Sequence, residues 1–162
     1  PYICHQDANL ESAPVMKHQQ KANAFTMPVR VYYEDTDAGG VVYYANYLKY
    51  FERCRSEWLR AIGHHQADLL RDPGIAFVVR SVSIEFLRPA RLDDEVVVGL
   101  EVERIGRAQI FFRQHIRRAE DGVEGGWQEL VCAAVHIACV NSARMKATAI
   151  PATLRTKLEA LQ

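Results

Sequence analysis

The chain has 162 residues, of which 49% are hydrophobic, so it is long enough for one domain with an ordinary core and is neither disordered nor fibrous. Its 20 Lys and Arg residues balance 20 Asp and Glu residues, which gives no support for a nucleic-acid partner or a general attraction to anionic lipid. The four cysteines form no CxxC pair and have no metal-ligand spacing, which favours reduced, mostly buried thiols in a cytosolic protein.

No apolar run approaches the roughly 18 residues that a membrane helix requires, so we expect no transmembrane segment. The first residues also lack the basic and apolar regions of a signal peptide. Residues 1–26 are polar and aperiodic, which predicts a flexible N-terminal arm, and residues 27–162 are expected to form a single domain. The chain begins with Pro1, and Met16 and Met27 are candidate natural starts.

The first elements of the predicted domain are a short strand, a turn and a long helix. Residues 29–33 are rich in β-formers and predict the strand, while residues 34–40 carry aspartates and two glycines that are typical of a turn. Apolar residues then recur every three or four positions from Asn46 to Ile62, which predicts an amphipathic helix. Its expected apolar stripe consists of Tyr47, Leu48, Phe51, Cys54, Trp58, Leu59 and Ile62. Asn46 is the predicted N-cap, and Gly63 is the predicted terminator.

Beyond this helix, residues 64–71 predict a short helix and residues 72–74 a turn. The apolar period then changes to two, which predicts an antiparallel meander. The residues expected to share a strand face are Val78, Val82, Ile84 and Phe86 in the first strand, Val96, Val98, Leu100 and Val102 in the second, and Ile110, Phe112 and Ile116 in the third. Glycines near 121–126 predict a hairpin before a strand over residues 127–140. Leu154, Leu158 and Leu161 predict a last helix after Pro151, and the fold class is α+β.

Asp35 and Asp37 lie in the acidic turn, where aspartates most often bond their own backbone. Two features favour a functional role for Asp37. Gly39 and Gly40 allow a ligand to approach the backbone closely, and the free N–H groups at the start of the coming helix can receive negative charge that develops on a carbonyl oxygen. A structural turn and a carboxylate site remain alternative interpretations.

Other residues offer weaker signals. His64 and His65 lie at a predicted helix end, and His115 and His136 lie on strands without a metal-ligand spacing. No GxSxG, HExxH, P-loop or GxGxxG pattern is present, so the common serine-hydrolase, zincin and nucleotide-binding motifs find no support. Two basic clusters follow strands and are either solvated turns or a phosphate clamp. They contain Arg88 and Arg91 in the first cluster and Arg144 and Lys146 in the second.

Residues 29–43, with Ala45-Asn46-Tyr47-Leu48 and Phe51-Glu52-Arg53, resemble the signature of hotdog-fold acyl-CoA thioesterases of the 4-hydroxybenzoyl-CoA thioesterase superfamily. The likeness is greatest to the Tol-Pal-associated branch, and a weaker similarity extends from about residue 28 to residue 151. The resemblance implies a hotdog fold, in which an antiparallel sheet wraps a long central helix. It also implies a cytoplasmic homodimer or homotetramer that needs no cofactor, because coenzyme A is part of the substrate.

By this resemblance, Asp37 matches the catalytic carboxylate, acting as a nucleophile or as a general base. The backbone N–H of Tyr44 matches the group that polarises the thioester carbonyl. We assign further residues to substrate binding: Gly40, Val41 and Asn46 beside these groups, and Arg88, Arg91, Arg144 and Lys146 for the phosphates of coenzyme A. The Tol-Pal-associated branch usually has His where this chain has Tyr44, and a Tyr hydroxyl with an ordinary pKa near 10 is a poor proton shuttle at neutral pH.

The predicted function is hydrolysis of a short aliphatic or aromatic acyl-CoA to free acid and coenzyme A. The alternative is a non-catalytic acyl-CoA-binding or Tol-Pal-associated scaffold on the same fold, since a fold does not determine activity. A hotdog dehydratase or hydratase would need a His paired with an acidic residue, and no His lies near Asp37 in the sequence. Association with Tol-Pal proteins or an acyl carrier protein, and a position beside the inner membrane, are further expectations.

Overall fold

The computed structural model describes residues 24–120 and 122–160. The elements in chain order are β1 (Phe25–Arg30), α1 (Asn46–Ala61), α2 (Gln66–Arg71), β2 (Ile75–Phe86), β3 (Glu95–Ile105), β4 (Gln109–Ala119), β5 (Trp127–Asn141), β6 (Lys146–Ala147) and α3 (Ala152–Glu159), with a 3-10 turn at Tyr33–Asp35. The predicted arm lies mostly outside the described residues. Its last two positions, Phe25 and Thr26, instead belong to β1.

The strands form one antiparallel sheet in the order β1-β3-β4-β5-β2, with β6 paired to the end of β5. The meander β3-β4-β5 supplies the middle of the sheet, and β1 and β2 lie at its two edges. Side chains directly opposite one another in antiparallel strands share a face, so each row across the sheet points either toward α1 or away from it.

Helix α1 lies against one face of this sheet and supplies the centre of the core. Its buried apolar residues are Tyr47, Tyr50, Phe51, Cys54, Trp58 and Leu59. The strands contribute alternating residues, as their period of two predicts, including Val96, Val98, Leu100, Ile110, Phe112, Ile116, Val131, Val135 and Ile137. A long helix covered by a curled antiparallel sheet is the hotdog arrangement, so the predicted α+β class is confirmed.

The ends of α1 differ in how well they were predicted. Gly63 has a φ of 86° and donates its N–H to the Arg60 carbonyl, which confirms it as the terminator. The predicted N-cap is wrong, because Ala45 occupies that position and Asn46 is the first helical residue. Leu48, predicted for the apolar stripe, is 42% exposed because it lies on the solvent side of the first turn.

The strand predictions required two corrections. The first strand covers residues 25–30 rather than 29–33, because residues 33–35 form the 3-10 turn that leads into the acidic loop. In β2 a bulge falls between Val79 and Ser81. Val78 therefore pairs with Ala138 on the outer face, whereas Val82, Ile84 and Phe86 pair with inward-facing residues of β5. The prediction that these four residues share one face of β2 is therefore right for the three residues after the bulge and wrong for Val78.

Helix α3 packs Leu154 and Leu158 into the core, as predicted, while Leu161 lies outside the described residues. The three described cysteines are unpaired thiols, and Cys54 and Cys139 are buried. Among the described helices, none is both long enough and apolar enough to cross a membrane.

Candidate active site

The acidic loop folds back on itself around Asp37. The Asp37 N–H donates to the Val41 carbonyl at 2.9 Å, and the Gly40 N–H donates to the Asp37 carbonyl at 3.0 Å. Thr36 and Val42 form an antiparallel bridge just outside this turn. Gly40 has a φ of 72°, a conformation that glycine adopts without steric cost. The loop is therefore a tight hairpin with Asp37 at its base.

The hairpin is tied to the start of α1 through one carbonyl group. The Asp35 carbonyl oxygen accepts the Tyr43 N–H at 2.9 Å and the side-chain Nδ2–H of Asn46, also at 2.9 Å. Asn46 is buried, so its amide needs such a partner. These two bonds place the loop that carries Asp37 against the first turn of the helix.

The two loop aspartates have different environments. Asp35 is buried, and its carboxylate accepts the Tyr32 N–H at 2.9 Å. Burial, and then the neighbouring Asp35 carboxylate, raise the pKa of Tyr50 well above its ordinary value. Asp37 is only half-buried, and its Oδ1 accepts the Gly39 N–H at 2.8 Å. Asp35 thus has a structural role, and Asp37 is the carboxylate open to a ligand.

The helix start offers an unused hydrogen-bond donor. The Asn46 N–H donates to the Tyr43 carbonyl at 2.8 Å, whereas the Tyr44 N–H makes no hydrogen bond within residues 24–120 and 122–160. The Tyr44 side chain is 53% exposed. Its ring centroid lies 4.7 Å from that of Tyr43 and 6.3 Å from that of Phe86. The arrangement combines a free N–H at the positive end of a helix and exposed aromatic rings with the loop that carries Asp37.

The first basic cluster lies beside this loop. Val41 and Arg91 form an antiparallel bridge, and the Val42 N–H donates to the Ala90 carbonyl at 2.9 Å. The Ala90 N–H in turn donates to the Tyr47 hydroxyl at 2.9 Å. Arg88 is also at this end of the sheet, where its guanidinium donates to the Glu129 carbonyl at 3.2 Å. Arg88 and Arg91 are both exposed at this end of the sheet.

The second basic cluster lies at the other end of the sheet. The Leu130 carbonyl accepts the Arg88 N–H, and Asn141 at the end of β5 pairs with Lys146 of β6. The two clusters therefore adjoin opposite ends of β5. The 11 residue-to-residue steps from Leu130 to Asn141 correspond to about 36 Å of strand. Within one chain, therefore, Arg144 and Lys146 do not meet Arg88 and Arg91, and only a second subunit can bring the two clusters together.

Three residues have positioning roles that the sequence did not predict. Asp35 supplies the shared carbonyl, Tyr47 holds the segment at Ala90, and Phe86 packs on Tyr44. The carbonyl of Asp35 carries no sequence signal, because any residue has one. The spacing of Tyr47 predicts a core residue. A tyrosine at a buried position needs a hydrogen-bond partner for its hydroxyl, and this was the one sequence signal of a polar role.

Neither His136 nor His64 joins this site. His136 lies on the outer face of the sheet, where its Nε2 and Gln109 Oε1 are 2.9 Å apart and its ring stacks on Phe111. Burial, with Lys157 as a second cause, lowers the pKa of His64 at the far end of α1. Within the described ranges, no three His, Cys, Asp or Glu residues are grouped to hold a metal ion.

Comparison with known proteins places the chain in a family. The model of the thioesterase superfamily matches residues 39–124, a range that begins two residues after Asp37. Acyl-CoA thioesterase YbgC of Haemophilus influenzae is 42% identical over 140 residues, which cover 86% of this chain and 98% of that protein. These similarities extend well beyond the acidic loop.

Solved structures agree with this relationship. A probable thioesterase from Bartonella henselae is 37% identical with a TM-score of 0.72, covering 79% of this chain and 99% of that one. A second solved structure is an aspartate-to-asparagine variant of 4-hydroxybenzoyl-CoA thioesterase complexed with 4-hydroxybenzoyl-CoA. Its TM-score is 0.78, and the alignment covers 85% of this chain and 99% of that one. At 20% identity, this likeness shows the shared fold alone. By sequence and by fold, the chain belongs to the thioesterase superfamily.

Proposed function

We propose that this thioesterase hydrolyses acyl-CoA thioesters, with Asp37 as the catalytic carboxylate and the Tyr44 N–H as the donor to the thioester carbonyl. The observation that carries the proposal is the pair of hydrogen bonds from Tyr43 and Asn46 to the Asp35 carbonyl. These bonds hold the carboxylate loop against the helix start. The names of the YbgC relatives, which are acyl-CoA thioesterases, support the substrate class.

The chemistry allows two routes. In the first, an Asp37 oxygen bonds to the thioester carbon, the C–S bond breaks, and coenzyme A leaves as a thiolate that takes up a proton; water then hydrolyses the mixed anhydride. In the second, Asp37 accepts a proton from water while the water oxygen attacks the same carbon; the tetrahedral intermediate then collapses, the C–S bond breaks, and the coenzyme A thiolate leaves and takes up the proton that Asp37 accepted. Both routes place negative charge on the carbonyl oxygen, which the Tyr44 N–H and the helix N-terminus stabilise.

Replacing Asp37 by Asn tests the assignment. Because either route needs the ionised carboxylate, we expect kcat to fall about a thousandfold or more, while acyl-CoA binding is retained. The assay measures the release of the coenzyme A thiol. The matched control is Asp68→Asn, which removes an exposed carboxylate in α2 that pairs only with Arg71 in the described structure. Equal activity of the Asp37 variant and the control would refute the role of Asp37.

A single-turnover experiment separates the two routes. In the nucleophilic route, acid quenching within the first turnover traps the acyl group on the peptide that contains Asp37, and mass spectrometry detects the added acyl mass. The general-base route forms no such adduct at any quench time. The Asp37→Asn variant serves as the blank.

The acyl group is proposed to be a short aliphatic chain or an aromatic ring. The exposed rings of Tyr43, Tyr44 and Phe86 beside the loop offer an apolar surface to either group. A panel of acetyl-, butyryl-, hexanoyl-, benzoyl- and palmitoyl-CoA ranks the candidates by kcat/KM. Tight binding of acyl-CoA without thiol release from any member would instead support the non-catalytic scaffold.

Self-association is proposed to complete the coenzyme A site. Strand β2 is a long sheet edge with exposed apolar residues, and the second basic cluster cannot reach the first within one chain. A dimer or tetramer can place Arg144 and Lys146 of a second copy near Arg88 and Arg91. Substitution of Arg144 and Lys146 by Gln should then raise KM for acyl-CoA while leaving kcat nearly unchanged.

A cytoplasmic location beside the inner membrane, and association with Tol-Pal proteins or an acyl carrier protein, are supported only by the family resemblance. Affinity purification of the tagged chain from membrane and soluble fractions, with an untagged strain as control, tests these partners directly. Absence of Tol-Pal proteins and of acyl carrier protein from both eluates would remove this part of the proposal.

A further inference from the structure

An apolar cavity separate from the Asp37 loop lies between α1, the sheet and α3. Its volume is about 110 Å³. The apolar lining includes Trp58, Phe112, Ile137, Leu154 and Leu158. Arg55, which also lines it, is 11 residues beyond Tyr44 along the chain, about 16 Å away along the helix axis. We refer to this space as the Arg55 cavity.

Arg55 contributes a positive charge that makes no salt bridge with the described residues. Its Nη1 donates to Gln114 Oε1 at 2.7 Å, and no carboxylate of the described residues lies within ion-pair distance of it. Arg55 is half-buried; the loss of solvent lowers the pKa of its guanidinium, and the nearby Glu52 carboxylate partly opposes this shift. A guanidinium has five N–H donors, so most of them are available to an anion.

The orientation of Arg55 is preorganised by a buried amide. Gln114 is fully buried, and its Nε2 donates to the Phe51 carbonyl at 3.1 Å. This bond fixes the amide so that Oε1 faces Arg55. The charge is consequently held in one place before any ligand arrives, which reduces the entropy lost on binding.

One other charge lines the cavity, and it opposes an anion. Glu52 is exposed, and its Oε1 accepts the Ser56 hydroxyl at 2.7 Å; the Ser56 oxygen also accepts the Gln66 Nε2–H at 2.7 Å. An exposed carboxylate is screened by water, whereas a half-buried guanidinium acts through a lower effective dielectric. The attraction by Arg55 therefore outweighs the repulsion by Glu52.

We propose that the Arg55 cavity binds a short-chain carboxylate, with the carboxylate group on Arg55 and the hydrocarbon tail among the apolar side chains. An apolar cavity of about 150 Å³ is large enough for benzene, so this somewhat smaller space suits a tail of about four or five carbons, as in hexanoate. Charge complementarity selects an anion over a neutral or cationic molecule of the same length. The cavity is a binding site distinct from the proposed catalytic loop.

Trp58 provides a reporter inside the cavity. The chain has two tryptophans, and Trp127 is 48% exposed at the start of β5. The full-length Trp127→Phe variant therefore leaves Trp58 as the single indole. The Trp58 ring packs edge-on against the Phe112 ring, with the two ring centroids 5.2 Å apart. Titration with hexanoate should change its emission saturably. Hexan-1-ol, which lacks the charge, should bind at least about tenfold more weakly, and butyrate should lose about three- to fourfold per missing methylene.

Substitutions separate the contribution of Arg55 from a general apolar effect. In the same background, Arg55→Met should weaken hexanoate binding at least about tenfold without affecting the binding of hexan-1-ol. Arg55→Lys keeps the positive charge and should therefore retain most of the hexanoate affinity. Glu52→Gln removes the opposing charge and should increase the hexanoate affinity. Arg53→Met, which alters an exposed neighbour that does not line the cavity, is the matched control.

Three results would overturn the proposal: equal binding of hexanoate and hexan-1-ol, unchanged hexanoate affinity in a folded Arg55→Met variant, or no saturable response at any protein concentration. The last result, with self-association seen by sedimentation, would mean that a second copy covers the cavity. The comparison of acid with alcohol needs no Arg55 variant, so it stands even if that variant misfolds. The assay contains no thioester, and its outcome is independent of the role proposed for Asp37.

Discussion

At the scale of single residues, one backbone carbonyl organises the loop that carries Asp37. The Asp35 oxygen receives two hydrogen bonds, of which the bond from Asn46 is a buried side-chain contact. A buried hydrogen bond contributes about 0.5–1.5 kcal/mol, and without the Asn46 amide the same oxygen would keep only the bond from the Tyr43 N–H. The geometry of the loop therefore depends on a residue that touches neither Asp37 nor the Tyr44 N–H.

Replacing Asn46 by Ala tests this dependence. We expect a loss of about 0.5–1.5 kcal/mol in the free energy of unfolding, because the Asp35 carbonyl loses one of its two buried donors. We also expect kcat to fall more than KM rises, because the loop loses its fixed position against the helix. Urea denaturation and thiol-release kinetics measure the two effects.

The control is Thr156→Ala, which removes an exposed side-chain hydrogen bond to the Ala152 carbonyl in α3. It should cost little stability and leave kcat unchanged. An Asn46→Ala variant as stable and as active as this control would show that the Tyr43 bond alone holds the loop.

At the scale of elements, the two edges of the sheet differ in their openness to a partner. Strand β1 has six residues, and Pro28 in its middle lacks an N–H group. Strand β2 has 12 residues without a proline, and Val79, Val82 and Phe86 on it are 37–49% exposed. An open, apolar edge of this length favours pairing with another strand, so we expect copies to associate through β2.

Replacing Val82 by Glu tests the β2 interface. In a symmetric pair the substitution occurs twice, and the two buried carboxylates should weaken association about tenfold or more. Sedimentation velocity over a concentration series measures the dissociation constant. Thr26→Glu places the same charge at an exposed position of β1 and should leave association unchanged. A monomeric parent chain at all concentrations would contradict the expectation.

At the scale of the whole molecule, buried acidic groups link stability to alkaline pH. Burial raises the pKa of Cys139 to about 11 and that of Cys54 to about 12, from an ordinary value near 9. Above pH 9 the unfolded chain loses these protons while the folded chain retains them. The stabilisation present below pH 9 should therefore disappear as the pH rises through the folded-state pKa values.

Urea denaturation at pH 7, 8, 9 and 10 measures this effect. We expect the free energy of unfolding to decrease from pH 9 upward, and the decrease to be smaller in Cys139→Ala, which lacks one of the titrating thiols. Below pH 8 the two proteins should show parallel pH dependence. Identical alkaline slopes would mean that the Cys139 thiol ionises equally in the folded and unfolded chains.

The sequence by itself determined the fold class, the long amphipathic helix, the long strands and the loop that carries Asp37, because these follow from short-range periodicity and turn chemistry. Only the tertiary structure decided that Asp35 is structural, that Asn46 holds the loop rather than capping the helix, and that a bulge turns Val78 outward. It also placed the two basic clusters at opposite ends of β5. The physical reason is that burial and hydrogen-bond partners depend on residues distant in the chain, and local patterns do not contain that information.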